Sequence, residues 1–189
     1  MSIDIRPATT TDIEGVLTII NRYAEENLML PRTAAQIQRV LSRFLVAEAD
    51  GQIVGCGSLV ELTPRLVELR SLAVVPELRG TGLGRQLVEA LVAQAREIGY
   101  EQLCALTLNE GFFNRLGFPT VDRWDLSPKI WHECIYCPKL AACDEIPVLM
   151  NLTEGEIALD TRTGQDDRVR RIADCGLRIA DCHLPFARQ

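Results

Sequence analysis

Between Leu78 and Leu91 the chain reads LRGTGLGRQLVEAL, with Gly80, Gly82 and Gly84 at alternate positions between Arg79 and Arg85. No other stretch limits the fold so strongly. Glycines at this density suit a backbone that side chains would obstruct, and Leu83, Leu87, Leu91, Ala95 and Ile98 then form one helical stripe that Gly99 closes. Upstream, RLVELRSLAVVP reads as a strand stopped by Pro76, which cannot donate to a ladder. A strand, a glycine turn and a helix in that order make an anion cradle, because bare N–H groups and the helix dipole face one point. Two phosphate loops are excluded. The nucleoside-triphosphate loop needs Lys and then Ser or Thr after its last glycine, where this chain has Arg85 and Gln86. The dinucleotide fingerprint follows the first strand of its unit, whereas this turn follows a fourth strand and a proline link.

The rest of the chain supplies that context. SIDIRPA alternates like a strand, and a helix with Ile13, Val16, Leu17 and Ile20 on one face follows, with Thr11 and Glu14 as its capping box. Thr33 and Gln36 open a second helix whose face is Ile37, Val40, Leu41 and Phe44. Two strands meet at the Asp50-Gly51 turn, a strong hairpin signal. After the glycine turn come a helix, the strand EQLCALTL, a short helix in GFFNRLGF, and a last strand IPVLMNL. The predicted order is β-α-α-β-β-β-α-β-α-β-β, an α/β (α+β) mixed sheet with helices on both faces. The expected core domain spans 1–152. Residues 153–189 contain the tandem RIADCGL and RIADCHL beside a charged run, and read as a low-complexity extension outside the core.

Composition narrows the partners. No apolar run approaches the roughly 20 residues that span a bilayer, and the N-terminus lacks the order of a signal peptide, so a cytoplasmic protein is expected. A net charge of -6 repels nucleic acid and anionic membrane, so neither is an expected partner, and any phosphate must be held by a local arrangement. Seven cysteines make an odd count that argues against a disulfide framework in the cytosol. Cys56 and Cys104 lie in strand-like runs and read as core residues. His132, Cys134, Cys137 and Cys143 have ligand types for zinc but only half the spacing, so reduced packing cysteines are favoured over a metal site.

The segment Arg79-x-x-Gly82-x-Gly84 after SLAVVP resembles the acetyl-coenzyme A signature of the GCN5-related N-acetyltransferase (GNAT) family, and the element order resembles that family's fold over nearly all of residues 3–152. The resemblance implies acetyl-CoA as co-substrate and a mostly antiparallel sheet with a bulged, splayed central strand. It implies that Arg79, Gly80, Thr81, Gly82, Leu83, Gly84 and Arg85 wrap the pyrophosphate, with Asn109 and Phe113 also beside the coenzyme. Main-chain groups of Leu72, Ala73 and Val74 would pair with the pantetheine arm, and an N–H of Leu72 or Ala73 would face the thioester oxygen. In comparable holes such a donor contributes about 3 kcal/mol.

For the acceptor, the resemblance extends to the acetyltransferase domain of N-acetylglutamate synthases, especially short forms without a kinase domain. It is carried by the run from IRPATTTD to FLVAE, by ELRSLAVVPELRG, by FFNRLGF and by VLMNL. It implies a small amino-acid acceptor, glutamate, acetylated by direct transfer in a ternary complex, with a homodimer left open. Arg32 matches the carboxylate clamp, and Arg70 would hold a second carboxylate. Glu68 stands where many members carry the base, or is simply a partner for Arg70. The family's tyrosine acid is replaced by Phe113, which leaves Tyr136 as a guessed donor. Asp144 and Glu145 occupy a place where long forms bind glutamate, and would repel a dicarboxylate unless they face away. No kinase domain precedes the transferase, so arginine feedback through one is not expected. The alternatives are a GNAT enzyme for another amine, such as a different amino acid, a polyamine or a protein N-terminus, and a non-catalytic acetyl-CoA-binding module.

Overall fold

The computed structural model describes residues 2–153, so the expected extension and its tandem repeat lie outside the described residues. Six strands form one sheet in sequence order: β1 (Ile3–Pro7), β2 (Phe44–Ala49), β3 (Gln52–Glu61), β4 (Leu66–Val74), β5 (Gln102–Thr107) and β6 (Ile146–Asn151). All neighbours are antiparallel except β4 and β5. That parallel pair requires a crossover, which α3 (Leu83–Ile98) supplies. The β2–β3 hairpin turns at Asp50 and Gly51, with φ of 49° and 79°, the double left-handed step of a tight hairpin.

Strand alternation gives each face its own core. Phe44 and Val46 of β2 pack with Val16, Ile20 and Tyr23 of α1 (Ile13–Glu25) and with Ile37 of α2 (Ala34–Arg39). Leu45 faces the other way, toward Val88, Leu91, Val92 and Ala95 of α3. Helices therefore cover both faces, and the sheet is mixed and mostly antiparallel. The Thr33–Gln36 capping box forms, with Gln36 N–H donating to Thr33 Oγ1 at 3.3 Å and Thr33 N–H donating to Gln36 Oε1 at 2.9 Å.

Three expectations are corrected. The box before α1 is built by Thr9 and Asp12 instead of Thr11 and Glu14, because Arg6 holds Asp12 in reach of the Thr9 N–H at 2.7 Å. Ile98 is 45% exposed, since the Gly99 turn swings Tyr100 into the core in its place. The tenth element is not a strand: between α4 (Glu110–Asn114) and β6 stands α5 (Ser127–His132), and pairing there reduces to a single bridge from Thr120 to Val148. Among the described residues no helix is long and apolar enough to cross a membrane.

Leu91 is fully buried between α3 and the sheet. Leu91→Ala should lower unfolding free energy by about 2–5 kcal/mol in urea titrations, and a loss below about 1 kcal/mol would mean that this interface is not the core described.

Candidate active site

Strands β4 and β5 pair only at Leu66, Val67 and Glu68, opposite Gln102, Leu103 and Cys104. Beyond Glu68 they part. A register shift against β3 between Cys56 and Ser58 leaves one extra residue in β4, and Ser71 takes the left-handed value of 54° there. The register also shows which backbone groups face the opening. Val75 N–H donates to Val54 O at 2.9 Å, which makes Cys56 and Ala73 the next hydrogen-bonded pair. Ala73 is therefore turned into the ladder, and Leu72 and Val74 are the residues whose main chain points toward the fork. Of the three residues expected to pair with the pantetheine arm, this register turns Leu72 and Val74 outward.

The Val74 carbonyl is not free either. Tyr23 of α1 donates its hydroxyl to Val74 O at 2.5 Å and accepts from Arg79 Nε at 3.1 Å. The Arg79 guanidinium lies over the same ring, 4.7 Å from its centroid. One tyrosine thus ties the end of β4 to the first arginine of the glycine turn. Tyr23 lies three residues past Ile20 on the face begun by Ile13, Val16 and Leu17, a position whose spacing gives no sign of a polar anchor.

Gly80 and Gly82 take φ of 78° and 94°, and a Cβ on either would stand in open space. They are glycine for their backbone conformation, and the room beside them is left for a ligand. Gly84 has an ordinary φ and faces Phe112, whose ring edge would lie 3.7 Å from an added Cβ. The first helical bond runs from Gln86 N–H to Gly82 O at 3.1 Å, so the N–H groups of Leu83, Gly84 and Arg85 have no acceptor within the helix. Arg79 and Thr81 differ, since their N–H groups donate to Pro76 O and Leu78 O inside the turn. Arg85 is exposed and paired with Glu89 through Nε at 2.7 Å. The cradle thus fits a pyrophosphate by its helix N-terminus and open glycines more than by side-chain charge.

Across the fork, Asn109 caps α4 by accepting from Phe112 N–H at 3.2 Å. Phe113 is 5% exposed and stacked edge-on against Phe112 and Phe118, so it packs as a core ring. Its neighbour Phe112 is the ring that borders the turn. Tyr136 stands at the surface, 79% exposed, and is not drawn into the site as a proton donor.

Beside the bulge lies a cavity of about 170 Å³ lined by Arg32, Arg39, Phe44, Ser58, Arg70 and Ser71. Arg32 is pinned through its backbone: its N–H donates to Asn21 Oδ1 at 3.0 Å and its carbonyl accepts from Asn21 Nδ2 at 3.2 Å. Its guanidinium makes no hydrogen bond or ion pair among the described residues, and burial, followed by the nearby Arg70 charge, lowers its pKa. Glu68 is 3% exposed and binds Arg70 and Lys129, with Lys129 Nζ at 2.9 Å from its Oε2. Both cations meet the same oxygen, Oε2, so the ion pair with Arg70 that was one reading of Glu68 is formed. Glu133 completes the group with Arg70 and Lys129. Burial would raise the Glu133 pKa, but hydrogen bonds from Arg70 and Lys129 outweigh it and hold the carboxyl below its usual range.

Residues expected to trouble a dicarboxylate stand elsewhere. Asp144 is exposed, and Glu145 lines a separate cavity with Cys134, Cys137 and Cys143. His132 is exposed, and among the described residues no three His, Cys, Asp or Glu side chains gather to hold a metal ion. Cys56 lies under the bulge, its Sγ 3.4 Å from Ser71 O, and burial pushes its thiol up to about 12.

Residues 41–120 match the family model described as an acetyltransferase (GNAT) domain. An uncharacterized N-acetyltransferase of Chlorobaculum tepidum is 40% identical over 148 residues, which is 78% of this chain and 96% of that protein. The chain belongs to the GNAT acetyltransferases. An amino-acid acetyltransferase of Mycobacterium tuberculosis is 30% identical, covering 68% of this chain and 75% of that one. Among solved structures, the N-acetylglutamate synthase of Neisseria gonorrhoeae complexed with coenzyme A and N-acetyl-glutamate superposes with a TM-score of 0.71 at 27% identity. It is matched over 82% of this chain but only 36% of its own length. This GNAT protein is an acetyl-CoA-dependent acetyltransferase with amino-acid acetyltransferases among its relatives.

Two outcomes follow from the geometry. Gly82→Ala, forced to a φ of 94°, should weaken coenzyme A binding about tenfold in calorimetry, and unchanged affinity would show that the turn does not hold the coenzyme. Alkylation of the native enzyme at pH 8 should leave Cys56 and Cys104 unmodified in peptide maps, because both are buried and burial raises both thiols; modification of either would contradict the packing.

Proposed function

We propose that the enzyme acetylates the α-amine of an acidic amino acid, L-glutamate foremost, by direct transfer in a ternary complex. The observation that carries this reading is Arg32: a half-buried guanidinium without a protein partner, fixed from behind by Asn21, in a cavity of amino-acid size beside the bulge. A planar guanidinium in that state is suited to a carboxylate, which would dock on it in bidentate fashion. The names of the similar amino-acid acetyltransferases and the N-acetyl-glutamate complex support the same acceptor.

Bound acetyl-CoA supplies the thioester whose acyl carbon the amine attacks. The chain's part is to hold the two reactants and to receive developing charge. Leu83 to Arg85 N–H groups would anchor the pyrophosphate, and the fork beyond Glu68 would admit the pantetheine arm between β4 and β5. An outward N–H of Leu72 or Val74 would donate to the thioester oxygen as it gains negative charge. One ammonium proton leaves to solvent before attack; as the N–C bond forms and the C–S bond breaks, the nitrogen gives up a second proton, which balances the departing coenzyme thiolate as the free thiol. No cysteine carries the acyl group. Cys56, the thiol beneath the bulge, is kept protonated by burial and is no nucleophile at neutral pH.

Free-thiol release from acetyl-CoA, measured across a panel of amino acids, should be fastest with glutamate. Arg32→Ala should lower kcat/KM for glutamate about a hundredfold, chiefly through KM, with KM for acetyl-CoA unchanged. Preference for a basic amine, or an Arg32→Ala enzyme as good as the parent, would overturn the acceptor assignment.

A further inference from the structure

Arg32 can meet an acceptor only if the protein's own carboxylates leave it alone, and two of them stand nearby. Glu68 and Glu133 both contribute to the electrostatic environment of Arg32. They are instead bound into a closed ring of alternating charge. Glu68 Oε2 takes Arg70 Nε and Lys129 Nζ, while Glu133 takes Arg70 through Oε1 and Lys129 through Oε2 at 2.8 Å. Arg70 faces the acceptor cavity. Lys129, 8% exposed on α5, closes the ring from behind, where it lines the cysteine cavity. Two carboxylates and two cations sum to zero. Behind Lys129, Arg123 and Glu145 line the same cavity; Arg123 donates to the main-chain carbonyl of Glu145 at 2.9 Å, and burial, followed by the Glu68 charge, raises the pKa of the Glu145 carboxyl.

Remove the Lys129 charge and the ring carries a net negative charge in a poorly screened place. Arg32 would then have a protein carboxylate to satisfy it, and an incoming carboxylate would meet repulsion. We infer that Lys129 is a specificity-determining residue for acceptor charge: it neutralises Glu68 and Glu133 from the far side of the ring and so reserves Arg32 for a carboxylate-bearing acceptor. Lys129 touches no substrate and acts through Arg70, Glu68 and Glu133. The inference rests on the reading of the Arg32 cavity as the acceptor site.

The test is thiol-release kinetics on four proteins, the parent, Lys129→Met, Glu133→Gln and the double variant, with glutamate varied and then acetyl-CoA varied. Ring charge runs from negative in Lys129→Met, through zero in the parent and the double variant, to positive in Glu133→Gln. KM for glutamate should follow that order, about tenfold or more higher in Lys129→Met and restored toward the parent in the double variant, with KM for acetyl-CoA steady throughout. A merely structural lysine would not be rescued by a second substitution in the same ring. Unchanged KM in Lys129→Met, or a double variant no better than the single, overturns the inference while leaving the acceptor assignment standing. If Lys129→Met does not fold, the double variant is compared with Glu133→Gln: a higher KM in the double supports the inference, and equal values overturn it. A parent enzyme that releases no thiol with any acidic amino acid removes both readings together.

Discussion

The parting of β4 from β5 after Glu68 is the constraint from which the rest of this molecule follows. Two parallel strands that pair at three positions and then separate leave backbone groups of the central strand without a sheet neighbour. In a closed sheet those groups would be lost to ligands, and in an open one they would carry the cost of unmet hydrogen bonds. The fork leaves a slot between β4 and β5 beyond Glu68 in an otherwise continuous sheet. The bulge at Ser71 directs the strand away, and α3 crosses over from one arm to the other with its N-terminus at the mouth.

The two halves of the site share a single reference element. On α1, Asn21 clamps the Arg32 backbone from both sides, and Tyr23, two residues on, binds Val74 O and supports Arg79. Donor and acceptor anchors are thus set from one helix, which fixes their separation better than two independent loops would. The charge ring sits at the same fork. Glu68, the last residue of β4 paired with β5, is also the carboxylate shared by Arg70 and Lys129, so the point where the sheet opens is the point where the acceptor cavity receives its electrostatic balance.

Local chemistry was readable from the chain and distant chemistry was not. The glycine turn, the Thr33–Gln36 box, the Asp50-Gly51 hairpin and most of the α3 stripe depend on residues a few positions apart, and the structure contains them all. Arg32 and Arg70 were nominated from resemblance, and they line one cavity. Whether Leu72, Ala73 or Val74 faces the fork depends on a register against β3 that no local pattern encodes. Phe112 and Phe113 are adjacent and alike in sequence; only the packing of Phe118 decides which is core. The ring around Glu68 joins residues 61 and 65 positions apart, Lys129 and Glu133, in a segment whose cysteines suggested other chemistry. A buried lysine is costly unless paired, so its partners had to be sought in space and not along the chain.

A crystal structure of the enzyme with coenzyme A and N-acetylglutamate bound would test the central claim most directly. Pyrophosphate should lie against the N–H groups of Leu83 to Arg85, the pantetheine arm between β4 and β5 beyond Glu68, and a carboxylate of the acyl amino acid on the Arg32 guanidinium. A coenzyme lying outside the fork, or an amino-acid carboxylate held away from Arg32, would contradict it.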